Sequence, residues 1–181
     1  MAALILVAWS SALHAAGEAK GSQFGFTYGF SVPDANNVGP YKIAGIKGES
    51  FVFPQFALGG YFLFSDNSGQ SSTAANSKLS YSMHGLQAAY HMPNANGDSY
   101  LALRIGVSKL HMNPQGVDVI YSPYHYGIAS GYDYYVTNTV LLGFEGSYIH
   151  ILPGRTDLNN VTYDQPSFNV INFMASIQFR F

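Results

Sequence analysis

The sequence predicts an all-β chain: an eight-stranded antiparallel up-and-down transmembrane β-barrel preceded by a signal peptide. Three observations carry that prediction. After Gly21, large apolar residues alternate with small or polar ones at a period of two, the strand period, over nearly the whole chain. Only 10% of residues are charged, where a soluble domain carries about a quarter, so an ordinary water-facing surface cannot be built from them. The connections between the alternating runs are by turns longer and shorter, as in barrels with short periplasmic turns and longer external loops.

The same numbers exclude other classes. A net charge of -2 offers no basic field for nucleic acid. No internal segment approaches the roughly 18 to 20 consecutive apolar residues of a membrane-spanning helix. Without cysteine the chain has no disulfides, thiolate metal sites or cysteine-borne lipid. The helix-compatible run "MAALILVAWSSALHAAG" is apolar from residue 2 to 9 and then rich in small residues, which reads as a signal peptide over 1–17 although no basic residue precedes the apolar stretch. The barrel is expected over residues 22–181.

Each strand is read from its alternation. In "QFGFTYGFSV" Phe24, Phe26, Tyr28, Phe30 and Val32 share one face, against Gln23, Gly25, Thr27, Gly29 and Ser31. A weaker run, "YKIAGIK", follows "PDANNVGP". The stretch "FVFPQFALGGYFLF" places Val52, Phe56, Leu58, Phe62 and Phe64 opposite Gln55, Ala57 and Gly59, with Pro54 marking a bulge or an end. In "LSYSMHGLQAAYHM" the phase is ambiguous, since Gly85 invites a register slip. "SYLALRIGVSKLH" sets Leu101, Leu103, Ile105 and Val107 against Ala102, Arg104, Gly106 and Ser108. "PYHYGIASGYDYYV" sets Tyr124, Tyr126, Ile128, Tyr132 and Tyr134 against His125, Gly127, Ala129, Gly131 and Asp133. "VLLGFEGSYIHI" sets Leu142, Phe144, Tyr148 and His150 against Gly143, Glu145 and Ser147. The last strand, from near residue 167, ends "FNVINFMASIQFRF", with Phe173, Ile177, Phe179 and Phe181 in one register and Asn172, Ser176, Gln178 and Arg180 in the other. The connections expected between these strands are "PDANNVG", "GES", residues 65–77, "PNANGD", "NPQGVDVIYS", "TNT" and "PGRTDLNNVTYDQP".

A soluble barrel turns its apolar register inward, whereas a membrane barrel turns it outward. The register opposite the aromatic one is mostly Gly, Ala and Ser with isolated charges, which suits the crowded interior of eight strands. The aromatic register therefore faces lipid. Tyr and Phe near strand ends (Tyr28, Phe30, Phe64, Tyr90, Tyr100, Tyr124, Tyr134, Tyr148, Phe181) match interfacial girdles. The inward register gathers Thr27, Gln55, Arg104, Asp133, Glu145, Asn172, Gln178 and Arg180. Arg104 and Glu145 stand at similar heights on either side of a strand offering only Ala129 and Gly131. Two long side chains meeting there predict a lumen ion pair, since either charge alone would be costly. His125 and Ser147 lie inward on neighbouring strands without a third partner. His150 points the other way, and no catalytic residue is assigned. His84, His91 and His111 have no metal-ligand spacing, so no metal and no cofactor is expected.

The alternation over nearly all of residues 22–181, the hairpin "GYDYYVTNTVLLGFEGSY" and the closing "FMASIQFRF" resemble the small outer-membrane β-barrel superfamily of Gram-negative bacteria, the OmpA-like, OmpX-like and OmpW-like porin-family barrels. The resemblance implies localisation in the cell outer membrane, with outer-membrane lipid and lipopolysaccharide as surroundings. It implies that Phe173, Ile177, Phe179 and Phe181 form a signal read by the barrel-assembly machinery. It implies a structural or surface-interaction role, such as adhesion, host contact or envelope integrity, through external loops that meet a host or surface ligand. The alternative is a narrow pore or small hydrophobic-solute channel, and an enzyme acting on lipid is not expected.

Overall fold

The computed structural model describes residues 21–34, 40–65, 79–112, 119–158 and 161–181. The signal peptide expected over 1–17 lies outside them, as do most residues of the expected connections after the first, third and fifth strands. Eleven strands are described: β1 (Ser22–Pro33), β2 (Tyr41–Phe53), β3 (Phe56–Ser65), β4 (Leu79–Pro93), β5 (Gly97–Met112), β6 (Val119–Tyr121), β7 (Tyr124–Tyr135), β8 (Val140–Ile151), β9 (Gly154–Leu158), β10 (Val161–Gln165) and β11 (Phe168–Arg180). Eight of them close a ring of antiparallel neighbours in the order β1, β2, β3, β4, β5, β7, β8, β11 and back to β1. The ring strands are 10 to 16 residues long, and about 9 to 11 suffice to cross a bilayer. The longest therefore rise beyond the hydrocarbon layer.

Closure is made by β1 on β11, in unbroken register from Gln23 opposite Arg180 to Pro33 opposite Val170. One further step is added below, where the Ser22 N–H donates to the Phe181 carbonyl at 2.8 Å and the Phe181 N–H returns to Ser22 at 2.9 Å. Gly21 sits just outside this seam at φ +81°, and a Cβ there would collide with the Phe181 carbonyl oxygen.

The period-two reading carries through to burial. Phe26, Tyr28, Phe30, Leu101, Leu103, Ile105, Phe144 and Ile177 are exposed on the outer wall, while Thr27, Ala102, Arg104, Ala129, Glu145 and Gln178 are buried within. This is a closed barrel with its apolar side outward, and a lipid layer is the environment that suits such a wall.

Four local expectations are corrected. "GES" is not a turn: β2 runs on to Phe53, and the chain reverses at Pro54–Gln55, so Glu49 is an inward wall residue. Gln55 is consequently exposed at the turn, where its Oε1 accepts from the Tyr90 hydroxyl at 2.9 Å. No slip occurs at Gly85, because β4 pairs without a break with both β3 and β5. The connection drawn over "NPQGVDVIYS" contains β6, which continues the line of β7 beyond the break at Ser122–Pro123 and pairs with the upper part of β5. The last expected connection, beyond these four, carries a short hairpin of β9 with β10.

The short turns at the other end of the barrel are locally determined. Asn94 Oδ1 accepts the N–H groups of Asn96 and Gly97 at 2.9 and 3.1 Å, an Asx-type turn that its short side chain makes easily. Thr137 Oγ1 does the same for Thr139 and Val140.

Candidate functional site

The lumen is filled in two layers of opposite character. Its external half is apolar: Ile43, Leu63, Met83, Leu110, Ile149 and Ile151, each at most 1% exposed, pack with Tyr41, Tyr61, Tyr81, Val170 and Met174. Val119 and Tyr121 of β6 join the same cluster and close it from above. Its periplasmic half holds a network of charged and amide side chains.

Glu145 is the hub of that network. Its carboxylate takes two parallel bonds from Arg104, Nη1 to Oε1 at 2.7 Å and Nη2 to Oε2 at 2.8 Å. This fork-to-fork geometry is the strong form of the pair. The Tyr100 hydroxyl donates to Oε2 at 2.7 Å, and Lys47 Nζ approaches the same oxygen at 3.4 Å from the opposite wall. Lys47 also donates to the Tyr100 hydroxyl at 2.8 Å. The remaining Arg104 donors, Nε and Nη2, reach Gln87 Oε1 at 3.1 and 3.0 Å, and the guanidinium lies 4.8 Å from the centre of the Tyr61 ring. Arg104 is 2% exposed and Glu145 5%, so neither charge has water as an alternative partner.

From Gln87 the network descends. Its amide donates to Glu49 Oε2 at 2.9 Å, and Gln23 donates to the other Glu49 oxygen. His91 stands between two carboxylates, with Nε2 3.1 Å from Glu49 and Nδ1 3.3 Å from Asp98, as charge contacts rather than aligned hydrogen bonds. Arg180 approaches Asp98 at 3.8 Å near the periplasmic mouth. Over Gly143 of the intervening strand β8, Gln178 donates to Asp133. Lys47 and Arg104 thus meet Glu145, and Arg180 meets Asp98, while Glu49 and Asp133 are held by Gln23, Gln87, His91 and Gln178.

The residues singled out from the sequence are distributed as follows. Arg104 and Glu145 are brought into contact. Thr27, Asp133, Asn172 and Gln178 point inward, Gln55 does not, and Arg180 is partly buried at the mouth. Tyr100, expected in the outer girdle, is a lumen residue at 3% exposure, held there by Lys47 and Glu145. Ser147 does not meet His125; it accepts from Asn172 Nδ2 at 3.0 Å. His125 instead contacts the Ser108 hydroxyl at 2.8 Å and the Tyr61 hydroxyl at 2.5 Å, all three buried. Phe173, Ile177 and Phe179 line the outer wall of β11, and Phe181 follows them, 66% exposed. Lys47 and Glu49 escaped the sequence reading. The signal for them was the odd-numbered parity they share with Ile43, Gly45 and Phe51.

No protein-family model and no curated protein matches the sequence. Among solved structures the chain is similar to Neisserial surface protein A, at 16% identity over 88% of this chain and 96% of that one, with a TM-score of 0.64. It is similar to Ail, the attachment invasion locus protein of Yersinia pestis, at 14% identity over 88% and 97%, with a TM-score of 0.58. It is similar also to outer membrane protein W of E. coli, at 13% identity over 88% and 98%, with a TM-score of 0.55. At such identities the likeness is one of fold. The fold is that of the small outer-membrane β-barrels.

Proposed function

We propose that this barrel stands in the outer membrane as a closed, non-conducting scaffold whose external segments make surface contacts, without catalysis. The observation that carries this reading is the apolar layer in the external half of the lumen. A hydrated path would have to pass Ile43, Leu63, Met83, Leu110 and Ile149, none more than 1% exposed and none with a polar group to hold water. What remains available to a partner is the external rim, including the β9–β10 hairpin, where Arg155, Asp157 and Asp164 are exposed. The fold has precedent for such contact, since Ail has been solved with the heparin analogue sucrose octasulfate. The constellation of Ser108, His125 and Tyr61 gives no support to an enzyme, because all three side chains are buried within the apolar layer, Ser108 level with Met83 and His125 with Ile151.

The test has two arms. In planar bilayers the purified barrel should give no conductance above background. On cells, replacing residues 154–165 by a short turn should leave the folded barrel at normal level and abolish attachment to a surface to which the parent binds. Steady single-channel currents from the parent, or attachment unchanged across loop replacements, would count against the reading.

A further inference from the structure

The outer wall from β1 to β6 carries two concavities, one above the other. The lower is an apolar trough of about 680 Å³. Phe24, Ile46, Phe62 and Leu86 wall it together with His84 at the top, and the gap exists because Gly48 and Gly60, paired across β2 and β3, project nothing outward. Its floor is formed by Lys47, Tyr61 and Gly85; the two side chains among these turn into the lumen.

The upper concavity, about 290 Å³, begins at Phe64, the next outward residue of β3 above Phe62. That step is about 7 Å along a strand. Its character is different. Ser80 lies opposite His111 and Ser82 opposite Lys109, so two hydroxyls, an imidazole and an ammonium share one cross-strand patch between the apolar flanks Phe64 and Ile120. Outward cross-strand neighbours sit about 5 Å apart at Cβ, within reach of one tetrahedral anion. None of the residues lining either concavity is Asp or Glu. The chain as a whole carries -2, so attraction for an anion at this patch is local rather than a property of the molecule's overall field.

We propose that this face binds one phosphorylated lipid from the external leaflet, its phosphate on Lys109, His111, Ser80 and Ser82 and an acyl chain in the glycine trough below. The charge complementarity selects the head, and the adjacency of trough and patch, Phe62 next to Phe64 on β3 and His84 next to Ser82 on β4, selects an amphiphile over a free anion. An ammonium donor to phosphate is charge-assisted and strong, the imidazole and hydroxyl groups add hydrogen bonds, and the contact weakens as salt screens it. The inference rests on the reading that the barrel spans the outer membrane with its long connections outward.

The test is native mass spectrometry of the folded barrel released from micelles containing phosphatidic acid and phosphatidylcholine of equal chain length and concentration. The expected result is about a tenfold excess of bound phosphatidic acid, a difference of about 1.4 kcal/mol. Lys109→Gln with His111→Gln should abolish that preference. Gly60→Leu should reduce retention of both lipids, because its side chain enters the trough; the new Cβ meets only the Gly85 carbonyl oxygen, at 3.3 Å. Gly146→Leu, at an outward glycine with nothing within 4 Å, should change nothing. Where Gly60→Leu does not fold, Phe62→Ala removes the trough's wall and should lower retention in the same way.

Equal retention of the two lipids by the parent, or a preference that survives the double substitution, overturns the proposal. Complete displacement of phosphatidic acid by inorganic phosphate at equal concentration overturns the acyl-chain part, since a free anion would then suffice. A barrel that fails to insert into phosphatidylcholine vesicles overturns the membrane reading together with this one. Insertion without lipid selectivity overturns this inference alone.

Discussion

At the scale of single residues, Glu145 concentrates the risk and the stability of the lumen. Its carboxylate answers Arg104, Lys47 and Tyr100 at once. Glu145→Gln should leave two buried cations facing an amide and cost about 3 to 5 kcal/mol, the range found when one partner of a buried pair is removed. Combining it with Arg104→Met should restore much of that loss. Urea unfolding in micelles measures the cycle, and additivity within about 0.5 kcal/mol would mean that the pair is not coupled. Of this site the Arg104–Glu145 half was legible, because both residues sit in clean alternating runs separated by one strand of small residues. Lys47 was not. It reaches Glu145 from across the lumen, and a neighbour of that kind exists only once the ring has closed.

A second residue-scale test lies at the external rim. Asp34 clamps Asn169, accepting from its backbone N–H and from its side-chain amide, both at 2.6 Å. The backbone N–H chiefly, then the side-chain amide, hold the Asp34 carboxyl below its ordinary value of 3.8. A folded pKa below the unfolded one means a contribution present above the ordinary value and lost as pH falls through the depressed one. Asp34 is exposed, so the effect is small and screened by salt. At neutral pH the Asn169 amide should exchange faster in Asp34→Ala than in the parent, while Ile171 stays protected. Equal exchange at Asn169 would deny the clamp.

At the scale of elements, the strands most readily read from sequence were those whose two registers keep their polarity over the full height. β1, with Phe24 to Val32 outward, is one. β4 was ambiguous for a physical reason: above mid-height the polarities exchange. Its outward face turns polar at Ser80, Ser82 and His84, while its inward face turns apolar at Tyr81 and Met83 to join the upper layer. Alternation survives, but its sign inverts. Glu49 was lost to an apparent turn because a carboxylate two residues after a glycine-containing run looks solvated unless its partners Gln87 and Gln23 are seen.

β11 also separates two roles that its sequence confounds. We propose that Phe173, Ile177, Phe179 and Phe181 form the element read by the assembly machinery. Phe181→Ala keeps the backbone bonds to Ser22 and loses only an exposed ring, so it should lower the amount of barrel inserted in cells far more than the stability of barrel already folded. Deleting Phe181 removes both seam bonds and should do both. Equal amounts of folded parent and Phe181→Ala protein in membranes would contradict the assignment.

For the whole molecule, the outer wall is the largest feature and the least tolerant of charge. Ile105 stands 61% exposed on it, and Ile105→Arg should destabilise the inserted barrel by about 2 to 4 kcal/mol if it lies near the midplane. Unfolding from vesicles rather than from water is the measurement; a neutral result would place Ile105 outside the hydrocarbon. Conductance should respond to different residues. Glu145→Gln should leave the barrel silent, since the apolar layer is untouched, whereas Tyr41→Ala with Met83→Ala and Tyr121→Ala should admit ions. Currents from Glu145→Gln alone would locate the barrier in the charged layer instead.

The seam between β1 and β11 has a consequence in time. The pairing of Phe24 with Phe179 spans nearly the whole distance from one end of the barrel sequence to the other, and contacts so remote form late. Until that seam closes, the backbone groups of β1 that face β11 have no strand to pair with. Such an edge recruits other chains, so the last contact to form is also the one that removes the molecule's capacity to join its own copies.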